Sequence, residues 1–390
     1  MVSIEPVSGF IIAEKYTEDR KGETWTKLIE DAIEKLPVEV IQVTSDEGTG
    51  LLNHTLKGLD VHHSPDCFHV PYEVGKGTSG ALAAKIKKTR KAYEQSTHKV
   101  EKLIKKIHDC MGGRKSKKGL RELEIQVGEA VEYELDCLID FEIAQKNQKT
   151  ALLAKAEIGA VYHPYNTKTG KKQTTEKVTD LLENCFERLN TAAKDLSDTC
   201  KNRVAKAERV LDKMTATITF FFGMVSIYLE NSTFTEREKS QIEEVLIPGY
   251  YLQAVANKEK NKDKKKDISN KSENILSEFH QKHGEFSGYS EDKIQQMQKA
   301  AVECAQIFQR SSSCVEGRNA QLSLRHHGLH RLSASSLKAQ TVVHNYYRTN
   351  KEGKTPAERF FEAKHEDLFQ YLLEKMDYPA RPRKRKRDAA

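Results

Sequence analysis

Two short apolar runs open the chain, Val2 to Ile4 and Phe10 to Ala13, joined by Glu5-Pro6-Val7-Ser8-Gly9. Proline and glycine in so short a link predict a hairpin-like turn between two strands. The first run begins at the initiator methionine, so the chain is expected to start inside a strand. Trp25, Leu28, Ile29, Ala32 and Ile33 recur at helical spacing after Thr24, a residue able to cap, and predict a helix over about residues 24–35. Val38, Val40, Ile41 and Val43 predict a buried strand that stops at Ser45-Asp46-Glu47-Gly48. Leu51, Leu52, Leu56 and Leu59 predict a short helix, and a second strand edge follows at Pro65-Asp66-Cys67-Phe68-His69-Val70. Strand, strand, helix, strand is a mixed α/β pattern.

From about Ser79 to Gln309 the text changes to Lys, Glu, Gln, Ala and Leu. Val178, Leu181, Leu182, Cys185, Phe186, Leu189, Ala192, Ala193 and Leu196 form one stripe, which Val204, Ala207, Val210, Leu211 and Met214 extend. That spacing predicts amphipathic helices long enough to pack as antiparallel, coiled-coil-like hairpins. Gly112-Gly113 and His163-Pro164-Tyr165-Asn166 are the expected breaks. The run from Lys258 to Lys271 reads as a solvated linker or exposed loop. Helices are then predicted near residues 292–310 and 335–347. Thr355-Pro356-Ala357-Glu358 is a capping box with proline at the first helical position, opening a helix through Phe360 and Phe361 to Leu373. The expected organisation is a catalytic domain in two parts, 1–78 and 306–376, a helical insertion at 79–305, and a basic tail at 377–390.

Charge sharpens this picture. The formal net charge of the 390-residue chain is +7, and its mean hydropathy is −0.68. The basic excess is concentrated locally, which favours a polyanion partner over a global field. Seven scattered cysteines with no Cys-x-x-Cys spacing argue for reduced thiols, against a disulfide framework or a thiolate zinc site. The most apolar run, Ile218 to Tyr228, falls short of the roughly 20 residues that span a bilayer. A cytoplasmic, nucleoid-associated protein without a membrane partner is expected.

The acids carry the candidate chemistry. Asp46 and Asp66 each end an apolar run, and Glu316 lies far downstream in Ser313-Cys314-Val315-Glu316-Gly317-Arg318-Asn319. Taken singly, each has a plain structural reading as a turn, a cap or a helix-start residue. Taken together, two strand-end acids and a helical acid suit a two-metal site, because hard cations such as Mg²⁺ or Mn²⁺ take oxygen ligands. Two such metals support in-line phosphoryl displacement.

The phrases SDEGTGL, HHSPDCFHV, SSCVEGRNAQLSL and VVHNYYRTNKEGKTPAERFF, with the tryptophan helix TWTKL, resemble the catalytic domain of prokaryotic insertion-sequence transposases of the DDE type. The resemblance covers roughly residues 2–78 and 306–376. It implies a ribonuclease-H-like mixed sheet interrupted by a long all-α insertion, and metal-dependent DNA strand cleavage and transfer at transposon ends and target. Carried over by motif, Asp46 matches the second catalytic acid and Glu316 the third, with Asp66 at a recurrent position of less defined role. The strand bearing the first Asp would precede Met1, which implies a truncated chain that binds but does not cut. The alternative is that Asp46, Asp66 and Glu316 form the whole triad. A non-catalytic DNA-binding or interaction remnant is the rival reading.

Arg318 and Asn319 are then expected at phosphate or carboxylate, because a guanidinium forks onto either. The tail, with Arg383, Lys384, Arg385, Lys386 and Arg387, is expected at DNA phosphates or as a solubilising end. The helical middle is expected to grip DNA or to form a homodimer seam. His62, His63 and His69 do not make a convincing zinc set with Asp66, since adjacent strand residues point to opposite faces. Gly353-Lys354-Thr355 lacks the upstream glycine of a phosphate loop.

Overall fold

The computed structural model describes residues 1–34, 36–111, 117–280, 288–328 and 332–376. The chain divides into two compact units, one of residues 1–63 with 311 onward, the other of residues 64–310. The protein is 72% helical and 5% strand. This overturns the expected α/β, ribonuclease-H-like mixed sheet: the fold is mostly α. Among the described residues the strands form only two two-stranded sheets, β1 (Val2–Ile4) with β2 (Ile11–Glu14) and β3 (Gln42–Ser45) with β4 (His62–Pro65). A mixed sheet needs strands flanked on both sides, and none here has a second neighbour. The run from Val38 yields a strand only from Gln42, and Val38 and Ile41 are each 37% exposed.

In the first unit, β1 and β2 pair antiparallel as Val2↔Glu14 and Ser3↔Ala13. The Glu5 carboxylate closes the turn by accepting the backbone N–H of Val7 at 2.8 Å and of Ser8 at 2.6 Å. Gly9 sits at φ +76°, the left-handed region that glycine enters without a Cβ clash. Helix α1 (Gly22–Ile33) starts before Thr24, whose hydroxyl donates instead to Asp19 Oδ1 at 2.7 Å. Helix α2 (Thr49–Asn53) runs on into a π turn at His54–Gly58. Gly50 permits that packing, because a Cβ there would stand 1.9 Å from the Arg20 carbonyl oxygen.

The second unit begins within β4. Phe68, His69 and Val70 do not extend that strand: His69 is the first residue of the 43-residue helix α3 (His69–Met111). It packs antiparallel on α4 (Lys117–Val161). Ala130, Cys137, Ala144, Ala151 and Ile158, all buried, recur every seventh residue of α4. On α3, Leu82, Ser96 and Leu103 keep the same period. A heptad seam of this kind is a coiled coil, and the small residues on α4 let the two backbones approach closely. Tyr93 stacks on Phe141 with centroids 6.3 Å apart, and Thr97 donates to Glu134 Oε1 at 2.6 Å across the seam.

Among the described residues, seven further α-helices follow in this unit. They are α5 (Thr175–Ala193), α6 (Asp198–Glu208), α7 (Leu211–Glu230), α8 (Glu236–Gln241), α9 (Ile247–Lys258), α10 (Lys262–His280) and α11 (Glu291–Ile307). Val178, Leu182, Cys185, Phe186 and Leu189 of α5 meet Met214, Ile218 and Phe221 of α7 in one core. At its centre Phe221 makes edge contacts with Tyr165 and Phe308, 6.1 and 5.7 Å between centroids. His163 is fully buried there and its Nδ1 lies 2.6 Å from the Tyr251 hydroxyl. Burial holds its pKa well below the ordinary histidine value, and the nearby Arg310 guanidinium adds to this. The Lys-rich run is not a linker but the start of α10, where Ile268, Ile275 and Leu276 pack on the core. By length and composition one helical stretch among the described residues, Asp198–Glu230, could cross a membrane. Its most apolar window is 44% buried inside the protein.

The chain then returns to the first unit with α12 (Ser313–Gly328), α13 (Ala334–Tyr346), α14 (Pro356–Phe360) and α15 (Leu368–Lys375). The side-chain amide of Asn345 accepts from the Ile11 N–H and donates to the Ile11 carbonyl, both at 3.0 Å. It thereby stands in for a third strand beside β2. Phe10 stacks on Phe360 with centroids 4.6 Å apart. The Thr355–Glu358 capping box forms as read. The helix it opens stops at Phe360, however, with Glu362 at φ +50°, and α15 restarts under a new cap, Asp367.

Candidate functional site

The strand β3 delivers Asp46 to the surface. Its Oδ1 accepts the Gly48 N–H at 3.2 Å, which turns the chain into α2. Beside it, the buried Ser45 hydroxyl lies 3.0 Å from His63 Nε2. Adjacent histidines on β4 do diverge: His63 is buried, and His62 is half-buried, with its pKa lowered by that burial.

Asp66 is buried and serves the start of α3. Its Oδ1 accepts the Phe68 N–H at 2.8 Å, its backbone carbonyl accepts the His69 N–H, and its Oδ2 lies 4.0 Å from His69 Nε2. Glu316 stands exposed in the first turn of α12, where an acid suits the positive end of the helix dipole. Asp46 and Glu316 belong to the first unit and Asp66 to the second.

A Mg²⁺ or Mn²⁺ ion needs several oxygens converging on one point. Among the described residues no three His, Cys, Asp or Glu side chains are so placed. Asp46 and Asp66 each accept a backbone N–H from two residues on, which turns the chain at both places.

Arg318, expected at a phosphate or a carboxylate, is buried and paired with a carboxylate of its own chain. Its Nε donates to Glu14 Oε1 at 2.9 Å and its Nη2 to Glu14 Oε2 at 2.6 Å. Thr341 adds a third donor to Glu14 at 2.7 Å. Asn319 is exposed and open to a ligand. Arg383, Lys384, Arg385, Lys386 and Arg387 lie outside the described residues. Sequence reasoning passed over Glu14, because a single acid closing an apolar run gives no sign of a partner 304 positions away.

An exposed lysine cluster lies on the second unit. Lys262, Lys264, Lys265 and Lys266 crowd the first turns of α10, all exposed. Lysines at the positive end of a helix dipole are unfavourable there, and a bound polyanion would offset both.

Residues 242–388, under half of the chain, match the model of a family described as "Family of unknown function (DUF6399)". The match includes α10, Glu316, Arg318 and Asn319, and excludes Asp46 and Asp66. No curated protein and no solved structure matches the chain.

Proposed function

We propose that this chain is a DNA-transposition protein of the DDE transposase type that, in the conformation described, binds DNA without cutting it. Its kinship rests on the phrases around Asp46, Asp66 and Glu316. Its partners on this reading are transposon ends and target DNA. The observation that carries the DNA contact is the exposed lysine cluster at the positive end of α10. The reading of binding without cutting is supported by Asp46 and Asp66, whose carboxylates accept backbone N–H groups.

The test is fluorescence anisotropy with a labelled duplex across a salt series. Each phosphate contact should contribute a slope of about −0.9 in log affinity against log salt. Replacing Lys264, Lys265 and Lys266 together with Glu should weaken binding at least tenfold and flatten the slope by about two to three. A duplex that does not bind at low salt, or an unchanged slope in the variant, would overturn the reading.

A second reading, an active strand-transfer enzyme, is favoured by one observation. Asp46 and Glu316, far apart in sequence, belong to one compact unit and are both exposed. A DNA-induced rearrangement would have to bring a third donor to them.

A further inference from the structure

The two helices of the α3–α4 hairpin carry opposite charge on their outer sides. From Lys85 to Lys106, α3 has nine Lys or Arg and two Glu; from Glu122 to Glu142, α4 has eight Asp or Glu and no Lys or Arg. These charges do not pair across the seam. Lys87, Lys91, Lys102 and Lys105, at successive spacings of four, eleven and three, share the side of α3 away from α4, and all are exposed. No acidic side chain among the described residues forms an ion pair with any of them. The side of α4 away from α3 mixes acids with large apolar residues. Glu132 and Asp136 alternate there with Ile125, Leu135, Ile139 and Ile143. Ile125 and Leu135 are 57% and 56% exposed.

A continuous apolar stripe of this size on a solvated helix marks a protein contact. Its acidic flanks define what fits it, a basic helix whose lysine stems cover the apolar residues while their ammonium groups reach the acids. The outer face of α3 has that chemistry. The two faces also match in length, since residues 87–105 and 125–143 each span about 27 Å of helix. They stand at the same level of the hairpin, because Thr97 meets Glu134 and Tyr93 meets Phe141. DNA would suit the α3 face alone and leave the apolar stripe uncovered.

We propose that a second copy of this chain covers the stripe, the basic face of α3 in one copy seating on the acidic–apolar face of α4 in the other. Such a contact is heterologous, so association extends beyond a pair unless its rotation closes a ring.

Sedimentation of the full chain tests this, with circular dichroism to verify that each variant stays helical. At low salt the wild type should associate with rising concentration and dissociate in 1 M salt. One variant carries Lys87→Glu, Lys91→Glu and Lys102→Glu; the other carries Glu132→Lys and Asp136→Lys. Each alone should lose at least tenfold in association, and an equimolar mixture of the two should regain it. A wild type that remains monomeric would overturn the proposal, and so would variants that associate undiminished or a mixture that stays apart. Loss of DNA affinity in the α3 variant with association unchanged would assign that face to DNA instead.

Discussion

Arg318 of α12 and Glu14 of β2, 304 positions apart, form a two-point ion pair with side chains only 4% and 1% exposed. The pair ties the N-terminal hairpin to the helices that follow residue 311, and Thr341 of α13 completes it. A guanidinium so placed fastens the first unit.

Removing one partner of a buried pair strands the other charge. Arg318→Leu should therefore destabilise the first unit by about 3–5 kcal/mol. The double variant Glu14→Leu/Arg318→Leu should recover much of that loss, since a buried pair replaced by apolar groups costs little. Denaturant unfolding followed by the fluorescence of Trp25, the one tryptophan in the chain and part of this unit, reads both. A double variant no better than the single would contradict the role given to the pair.

The α3–α4 seam is set by small side chains. Ala144 is fully buried at the heptad position between Cys137 and Ala151. Ala144→Leu forces extra methylenes into a closed seam and should cost about 1–3 kcal/mol. The reverse change at Leu153, which is exposed, removes nothing from the seam, so Leu153→Ala should fall within about 0.5 kcal/mol of wild type. Thermal melts of the helical signal distinguish these outcomes.

His163 makes the second unit sensitive to acid. Burial lowers its pKa in the folded state, so the unfolded chain takes up a proton first as pH falls. The stability it contributes is full above about pH 6.5 and declines below, by at most about 1.4 kcal/mol per pH unit. The wild type should therefore lose more stability than His163→Gln between pH 6.5 and 5, although the variant begins less stable. Parallel losses in the two would show that other groups govern the acid response.

Much of the helical middle was readable in the sequence. Val178, Leu182, Cys185, Phe186 and Leu189 are buried as their spacing requires, because a stripe of that length can be satisfied only as one face of a helix. Leu181, in the same stripe, is 38% exposed. The capping box at Thr355 was equally readable, being a local device. The N-terminal hairpin was readable too, and β1 and β2 form where the two apolar runs predict them; the mixed sheet was not, since a central strand needs a neighbour on each side. Val38 to Val43 lacks the second and forms one short pairing with β4. The lysines of α10 hid a helix because the residues that anchor it, Ile268, Ile275 and Leu276, are few and widely spaced. At the candidate site the acids were visible as residues, but their local hydrogen bonds were not. Asp46 and Asp66 both turned out to accept from backbone two residues on.

The most direct test of the central claim is nicking of supercoiled plasmid by the purified chain in Mg²⁺ or Mn²⁺, beside Asp46→Asn and Glu316→Gln. A chain that binds DNA without cutting it should leave the plasmid retarded at low salt, released at high salt and intact with all three proteins. Nicking by the wild type that both substitutions abolish would contradict the account and assign these two carboxylates to a working metal site.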